Sequence, residues 1–315
     1  MNEEPTQEFP PEQLRERLQR ILPKERYEAF LDQALLPKRS HVRVNTLRSD
    51  AVEVSADLER MGIGYKPLSW CDHAFSTESE PRALQDSRLW KNGGFHIQSP
   101  SSIATSLVLQ PEPGERVLDM CAAPGSKTSH IAALMNNEGE LVANDLSKPR
   151  MHRMRALLEL LGARAQVRRS AGEQIGRREP GSFDRVLVDA PCSGEGRMRP
   201  DDPGSFKNWR PKVPRQLGSR QKSLLHSAIE AVRLGGVVVY STCTFSVEEN
   251  EMVLARALKL YEGQIEMQTL PIELPGAMEP CRTWQNRELR EIPGARRLGP
   301  PEYDGFFIAR LTKIG

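Results

Sequence analysis

Residues 116–128 read RVLDMCAAPGSKT: a short apolar strand, a loop of small residues and the first turn of a helix. Strand and helix patterns then alternate along the chain. The predicted strands cover 116–120, 140–145, 165–170, 184–189, 237–244 and 305–311, and the predicted helices cover 126–135, 147–161, 221–234 and 247–261. This alternation predicts an α/β fold with a doubly wound, Rossmann-like and mainly parallel sheet. Ligands of such sheets bind beyond the carboxyl ends of the strands.

The region before this sheet has a different pattern. Two helical patterns, after Pro10-Pro11 and from Lys24 to Leu35, precede strand patterns at 41–47 and 65–70, and a helix ending at Gly62 separates those strands. We therefore predict two domains: residues 1–97 as a helical lead-in with a small α/β module, and residues 98–315 as the domain that contains the alternating strands and helices.

Composition excludes several classes of protein. The 315 residues carry 44 Lys plus Arg and 42 Asp plus Glu, so the net charge of +2 excludes a strongly basic tail protein but not a nucleic-acid binder. No apolar run is long enough to cross a bilayer, and the acidic N-terminus does not resemble a secretory signal. Five cysteines without a C-x-x-C pair, and six histidines without ligand spacing, predict neither a disulfide framework nor a metal site. We expect a cytoplasmic monomer.

The loop in the first segment is the candidate cofactor site. A phosphate-binding loop would need glycines at Cys121 and Ser126, and a dinucleotide-binding glycine pattern is also missing. Asp145 ends the second strand, where a carboxylate can accept the hydroxyls of a ribose. An adenosine-containing cofactor without a pyrophosphate suggests S-adenosylmethionine. The alternative, that Asp145 only caps the helix starting near Ser147, stays open.

Two cysteines follow neighbouring strands of the predicted sheet. Cys192 lies in DAPCSG and Cys243 in YSTCT, so both thiols should face one cleft. A thiolate that adds to carbon 6 of a cytosine activates carbon 5 for methylation, and an acid such as Asp189 stabilises the adduct. Lys127 is a candidate cation for lowering the thiol pKa. Each cysteine alone is better explained as a small buried side chain.

These motifs together resemble the Nop/Sun family of RNA cytosine-5 methyltransferases, from about residue 41 to the end of the chain. The resemblance implies a Rossmann-like S-adenosylmethionine-dependent methyltransferase sheet and methylation of cytosine carbon 5 in RNA through a covalent cysteine adduct. It implies that Cys243 is the nucleophile, that Cys192 assists breakdown of the adduct, and that Asp189 contacts the cytosine. The implied cofactor-binding residues are Cys121, Ala122, Ala123, Pro124, Gly125, Ser126, Lys127, Asp145, Arg150 and Asp189.

One departure from the family pattern concerns adenine binding. The family usually has an aspartate at the end of the third strand, whereas this chain has Ser170 or Gly172 there. Glu173 is the candidate substitute.

Within the family, MNNEG at 135–139, GEG at 194–196, KNW at 207–209 and the terminal DGFF are most similar to the RsmF type, which acts on small-subunit ribosomal RNA. That type usually carries a further C-terminal domain, which we expect to be missing here. Short family members can be tRNA enzymes, so tRNA is the alternative substrate. Two further hypotheses are a DNA cytosine-5 methyltransferase, with Cys192 as nucleophile, and a non-catalytic RNA-binding assembly factor.

A basic segment follows the fourth strand. Residues 197–222 contain eight basic and two acidic residues together with Phe206 and Trp209. We predict a loop that contacts RNA phosphates and stacks bases. The alternative is a solvated loop with both aromatic side chains packed beneath it. A second basic run, from Lys148 to Arg169, is explained equally well as the solvent-exposed face of a helix.

Overall fold

The computed structural model describes residues 9–35, 39–199 and 201–315, so most of the acidic N-terminus lies outside the described residues. The helices are α1 Glu12–Ile21, α2 Lys24–Leu35, α3 Ala51–Arg60, α4 Pro81–Gln85, α5 Arg88–Lys91, α6 Pro100–Leu109, α7 Ser126–Leu134, α8 Lys148–Leu161, α9 Ile175–Arg178, α10 Lys212–Ala231 and α11 Glu251–Leu260. The strands are β1 His41–Val44, β2 Tyr65–Leu68, β3 Cys71–Thr77, β4 Phe95–Ile97, β5 Arg116–Asp119, β6 Glu140–Asn144, β7 Gln166–Arg168, β8 Phe183–Asp189, β9 Val232–Thr242, β10 Ile265–Gln268, β11 Thr283–Trp284, β12 Arg287–Glu288, β13 Arg296–Leu298 and β14 Phe306–Lys313.

The main sheet has the order β10-β14-β9-β8-β5-β6-β7, with β13 on β14. The five predicted strands β5 to β9 are mutually parallel, and the reversal of direction along the chain at β5 makes the sheet doubly wound. The predicted α/β Rossmann-like fold is therefore confirmed. The predicted final strand is β14, which pairs antiparallel with β9. Strands β10 and β13 were not predicted.

A second, antiparallel sheet has the order β2-β3-β1-β4. Helix α3 covers it, and the side chain of Asp50 caps that helix by accepting a hydrogen bond from the backbone of Glu53 at 2.8 Å. Val42, Val54 and Phe75 form the buried core between the helix and this sheet.

Helices α1 and α2 share a core with segments of the main sheet, far away in the sequence. Leu14 and Leu18 on α1 and Phe30 on α2 pack with Phe206 and Phe245. The division of the chain at residue 97 stays a prediction, and this packing shows that the lead-in is held by the C-terminal part of the chain.

The predicted RNA-contacting loop is partly wrong. Helix α10 begins at Lys212 rather than Gln221, so only the first part of the segment is irregular. Phe206 is 1% and Trp209 is 5% exposed, so neither ring is available to stack a base; the alternative, aromatic side chains packed beneath the loop, is confirmed. Local sequence does not show this, because the apolar cluster that contains both rings is built from segments far apart in the chain, including α1, α2 and Phe245.

Among the described residues, no helix is both long and apolar enough to span a membrane, and no group of His, Cys, Asp and Glu is arranged to hold a metal ion.

Candidate active site

The loop between β5 and α7 is built on a buried carboxyl group. Asp119 ends β5, and its Oδ2 accepts a hydrogen bond from Thr128 Oγ1 in α7 at 2.7 Å. Burial raises the pKa of Asp119 to about 7. Gly125 has φ +108°, and a Cβ there would lie 3.0 Å from Met154 Cγ in α8, so this position requires glycine.

The other loop residues are small and differ in exposure. Ala122 and Ala123 are buried against α8, whereas Pro124 is exposed. Burial raises the pKa of the Cys121 thiol, which makes it a poor nucleophile. Ser126 Oγ lies 2.9 Å from Nε2 of His96, so a residue of β4 contacts the first turn of α7.

Asp145 follows β6, and both of its carboxylate oxygens accept backbone N–H groups. Its Oδ1 accepts that of Ser147 at 2.8 Å, just before α8, and its Oδ2 accepts that of Ala123 at 3.2 Å. Arg150 lies 3.4 Å from Asp145 Oδ2 and donates a hydrogen bond to the carbonyl of Ala123. The carboxylate thus ties the loop after β5 to the segment before α8, and the contact with a ribose stays a prediction. Leu146 beside it is 49% exposed, a feature that sequence reasoning missed.

The end of β7 explains what replaces the usual aspartate. Both the N–H and the hydroxyl of Ser170 donate to Asn144 Oδ1, at 2.9 and 2.8 Å, so Ser170 joins β6 to β7. Glu173 lies just beyond, and its Oε1 accepts a hydrogen bond from Arg220 of α10 at 2.7 Å. A carboxylate is therefore present at this edge, paired with a cation.

The two cysteines meet, as predicted. Strands β8 and β9 are parallel neighbours with Asp189 opposite Ser241, and the loops that follow them bring Cys192 Sγ to 3.1 Å from Cys243 Sγ. The backbone N–H of Cys243 also points at Cys192 Sγ, at 3.3 Å.

The environment makes the two thiols chemically different. The hydrogen bond from Cys192 lowers the pKa of Cys243, and the positive charges of Arg197 and Lys127 act in the same direction against the effect of burial. That hydrogen bond and burial raise the pKa of Cys192. The pKa shifts of the two thiols therefore have opposite directions, down for Cys243 and up for Cys192. The sequence suggested Lys127 as the cation, whereas Arg197 was missed because nothing local points to the thiols.

Asp189 lies at the centre of a polar triad. Its Oδ2 accepts a hydrogen bond from Lys127 Nζ and its Oδ1 one from Ser241 Oγ, both at 2.9 Å. The Asp189 side chain remains 30% exposed, so it can contact a ligand beside the thiols. Ser241 was not singled out in the sequence.

The C-terminal DGFF motif lies against this site. Gly305 N–H donates to Gly196 O, and Gly196 N–H donates to Cys243 O, each at 3.2 Å. A Cβ on Gly196 would lie 1.9 Å from Gly305 O, so the two backbones can approach this closely only without a side chain. Lys127 Nζ lies 5.8 Å from the centre of the Phe306 ring.

Residues 106–312, which include the cofactor loop, both thiols and the DGFF motif, match the family described as 16S rRNA methyltransferase RsmB/F. The chain belongs to this family. An RsmB/F relative, ribosomal RNA small subunit methyltransferase F of Vibrio parahaemolyticus, is 37% identical over 96% of the chain and 63% of its own length. The enzyme of the same name from Escherichia coli O1:K1 is 36% identical over 91% of the chain and 60% of its own length. The chain thus spans about three fifths of these curated relatives.

Solved structures share the fold of this RsmB/F chain. A methyltransferase homolog protein from Pyrococcus horikoshii superimposes with a TM-score of 0.77 at 31% identity, covering 96% of this chain and 99% of that one. NSun6 from Pyrococcus horikoshii, solved with SFG, superimposes with a TM-score of 0.81 at 22% identity, covering 97% and 98% of the two chains, and shares the fold. The family predicted from the motifs is confirmed.

Proposed function

We propose that this RsmB/F chain uses S-adenosylmethionine to methylate carbon 5 of a cytosine in 16S ribosomal RNA, through a covalent adduct with Cys243. The observation that carries the proposal is the thiol pair, whose sulfurs lie 3.1 Å apart and in which the pKa of Cys243 is lowered and that of Cys192 is raised. A non-catalytic assembly factor has no need of a thiolate beside a protonated thiol.

The residues around the loop fit S-adenosylmethionine. Asp119 Oδ1 is buried without a hydrogen-bond partner in the described part of the chain, which suits an amino group of the cofactor. Asp145 keeps lone pairs for ribose hydroxyls, because a carboxylate offers about four acceptor sites. The exposed Leu146 suits the face of a base, and Glu173 replaces the usual adenine-binding aspartate. When bound, S-adenosylmethionine supplies the methyl group.

The side chains divide the remaining chemistry among them. The Cys243 thiolate adds to carbon 6 of the cytosine, which gives carbon 5 the electron density to take a methyl group. Asp189, held by Lys127 and Ser241, orients the ring through its polar edge. Once carbon 5 is methylated, its proton leaves to a base, the bond between carbon 6 and Cys243 breaks, and the Cys243 sulfur departs as thiolate. Cys192, beside that sulfur, stabilises it by donating a hydrogen bond and assists release.

Separate substitution of the cysteines tests this proposal. Cys243→Ala should abolish methylation of unmodified 16S RNA, and Cys192→Ala should accumulate a covalent RNA–protein complex that survives a denaturing gel. Cys281→Ala, which removes a thiol outside the site, is the matched control and should behave as the wild type.

The outcome also decides which enzyme class and which substrate are correct. A trapped complex with Cys243→Ala instead of Cys192→Ala would make Cys192 the nucleophile, as in DNA enzymes. Methylation of unmodified tRNA but not of ribosomal RNA or small subunits would replace the proposed substrate. Failure to bind S-adenosylmethionine would favour the non-catalytic factor.

A further inference from the structure

A chain of hydrogen bonds joins the residues that directly follow the two thiols. Ser193 follows Cys192, and its Oγ is hydrogen-bonded to Glu249 Oε1. Ser193 Oγ also lies 2.8 Å from Thr244 Oγ1. Thr244, next to Cys243, lies 2.9 Å from Glu195 Oε2. The order is therefore Glu249, Ser193, Thr244, Glu195. Thr244 and both carboxyl groups are fully buried.

The geometry of this hydrogen-bond chain fixes the number of protons that it holds. Three oxygen–oxygen contacts each need one proton, since two acceptors do not approach to such distances unbridged. Ser193 and Thr244 have one hydroxyl proton each, so they supply two. The third proton must come from a carboxyl group, and either Glu249 or Glu195 is therefore protonated.

The surroundings distinguish the two carboxyl groups. Glu195 Oε1 accepts hydrogen bonds from Trp209 Nε1 at 2.9 Å and Ser246 Oγ at 2.8 Å. Ser246 Oγ in turn accepts one from Arg17 at 3.2 Å, which places a cation one hydroxyl away from Glu195. Arg297, which pairs with Glu251, also interacts with Glu195 through its charge, so positive groups lie near Glu195 even though Arg17 itself pairs with Glu248.

Glu249 faces no such cation. The titratable groups around it are Glu195 and Cys192 from the segment after β8 and Tyr240 from β9, whose hydroxyl donates to the Glu249 carbonyl at 2.6 Å. Helix α10 presents the neutral Gln221, which donates to Glu249 Oε2 at 2.9 Å. In the described residues, no Lys or Arg forms an ion pair with Glu249, unlike its neighbour Glu248, which pairs with Arg17.

We propose that Glu249 carries the third proton and is a positioning residue: by donating to Ser193 it locks the two cysteine loops together, so that Cys192 can donate to Cys243. The backbone N–H of Ser193 donates to the other Glu249 oxygen, Oε2, at 3.0 Å, so the Glu249 carboxyl group forms two hydrogen bonds with the Cys192 loop. This role rests on the proposed methyltransferase function, whereas the protonation does not.

Loss of that proton should loosen the site. Burial raises the pKa of Glu249 to about 8. Above this pH the hydrogen-bond chain has one proton too few. The Ser193 and Thr244 hydroxyl oxygens then face each other without a proton between them, and the two cysteine loops separate. The rate of methyl transfer should therefore fall at alkaline pH, although the Cys243 thiolate becomes no scarcer.

Glu249→Gln tests the role in the reaction. The amide N–H₂ replaces the acid proton towards Ser193, and the amide oxygen still accepts from the Ser193 backbone and Gln221. We expect kcat within about twofold of the wild type near neutral pH and loss of the decline above about pH 8. Glu248→Gln is the matched control, because this neighbouring carboxyl group lies outside the hydrogen-bond chain and its variant should keep the decline. A folded Glu249→Gln variant that keeps the decline, or loses tenfold or more in kcat near neutral pH, would overturn the positioning role.

A measurement without RNA tests the protonation itself. The infrared spectrum of the wild type minus that of Glu249→Gln, near neutral pH, should contain a protonated carboxylic C=O band, and the wild type minus Glu248→Gln should not. The subtraction cancels the band of Asp119, whose pKa is also raised, to about 7. Absence of the band from the first difference spectrum would overturn the assignment. If the band behaves as expected but no RNA is methylated, the proposed function fails and the protonation stands.

Discussion

At the scale of single residues, the site makes two chemically identical side chains different. Cys192 and Cys243 both follow buried strands, but the hydrogen bond between them and the positive charges of Arg197 and Lys127 lower the pKa of Cys243, whereas the pKa of Cys192 is raised. Without that asymmetry, the two adjacent thiols would titrate as an equivalent coupled pair, and neither would be favoured as the nucleophile.

Thiol chemistry should reveal this asymmetry directly. Near neutral pH, we expect iodoacetamide to modify Cys243 before Cys192, as followed by peptide mass spectrometry. Cys192→Ala removes the donor to the Cys243 sulfur, so the pKa of Cys243 should rise and its alkylation should slow. Cys192→Ser keeps a donor and should preserve most of the reactivity. Faster modification of Cys192 than of Cys243 would contradict the assignment.

At the scale of elements, the site depends on close contact between segments that follow different strands. The parallel pairing of β8 with β9 brings the two thiols together, and the turn before β14 then packs on the segment after β8 through Gly196 and Gly305. Helix α1 closes the other side through Arg17, which donates to Glu248 at 2.6 Å.

Gly196→Ala should therefore disturb both stability and activity. The new Cβ would overlap the backbone oxygen of Gly305, which cannot rotate away, so we expect a loss of about 1–3 kcal/mol in the free energy of unfolding and a large loss of methyl transfer. Urea denaturation provides the measurement. Gly64→Ala, whose Cβ meets only the flexible side chain of Glu78, is the control. Equal stability of both variants would show that the close approach is not required.

Arg17→Met tests how α1 is held. The side chains of Arg17 and Glu248 are 12% and 6% exposed, so removing the cation leaves a buried carboxylate, at a cost of about 3–5 kcal/mol near neutral pH. Burial alone raises the pKa of Glu248, but Arg17 outweighs it and holds that pKa below its usual range. The ion pair therefore stabilises the fold above the usual carboxyl pKa, and its contribution fades on acidification through the lowered pKa. Denaturation at several pH values should show the variant and the wild type converging in acid.

At the scale of the whole molecule, charge is distributed unevenly although the net value is only +2. Exposed basic side chains at the start of α10, including Lys212 and Arg215, lie on the chain between the two cysteine loops. Since Phe206 and Trp209 are buried, RNA binding by this segment has to rely on phosphate contacts rather than on stacking.

Reversal of both charges, with Lys212→Glu and Arg215→Glu, should weaken RNA binding at least tenfold and flatten its dependence on salt, by about one unit of slope for each lost phosphate contact. Affinity for S-adenosylmethionine should not change. The control reverses Arg177 and Arg178, which are exposed on α9, away from the thiols. If both pairs weaken binding equally, net charge rather than this surface governs the association.

The sequence by itself determined the α/β class, the five parallel strands, the family and the identity of the candidate site residues. It could do so because strand and helix periods, the small-residue loop and the DAPCSG and YSTCT motifs are local patterns. Only the tertiary structure decided that α10 starts at Lys212, that Phe206 and Trp209 are buried in a cluster with α1 and α2, that Arg197 acts on Cys243, and that Glu249 meets Ser193. Each of these depends on contacts between residues far apart in the sequence, where burial and neighbouring charges set the protonation of a group and local patterns carry no information about them.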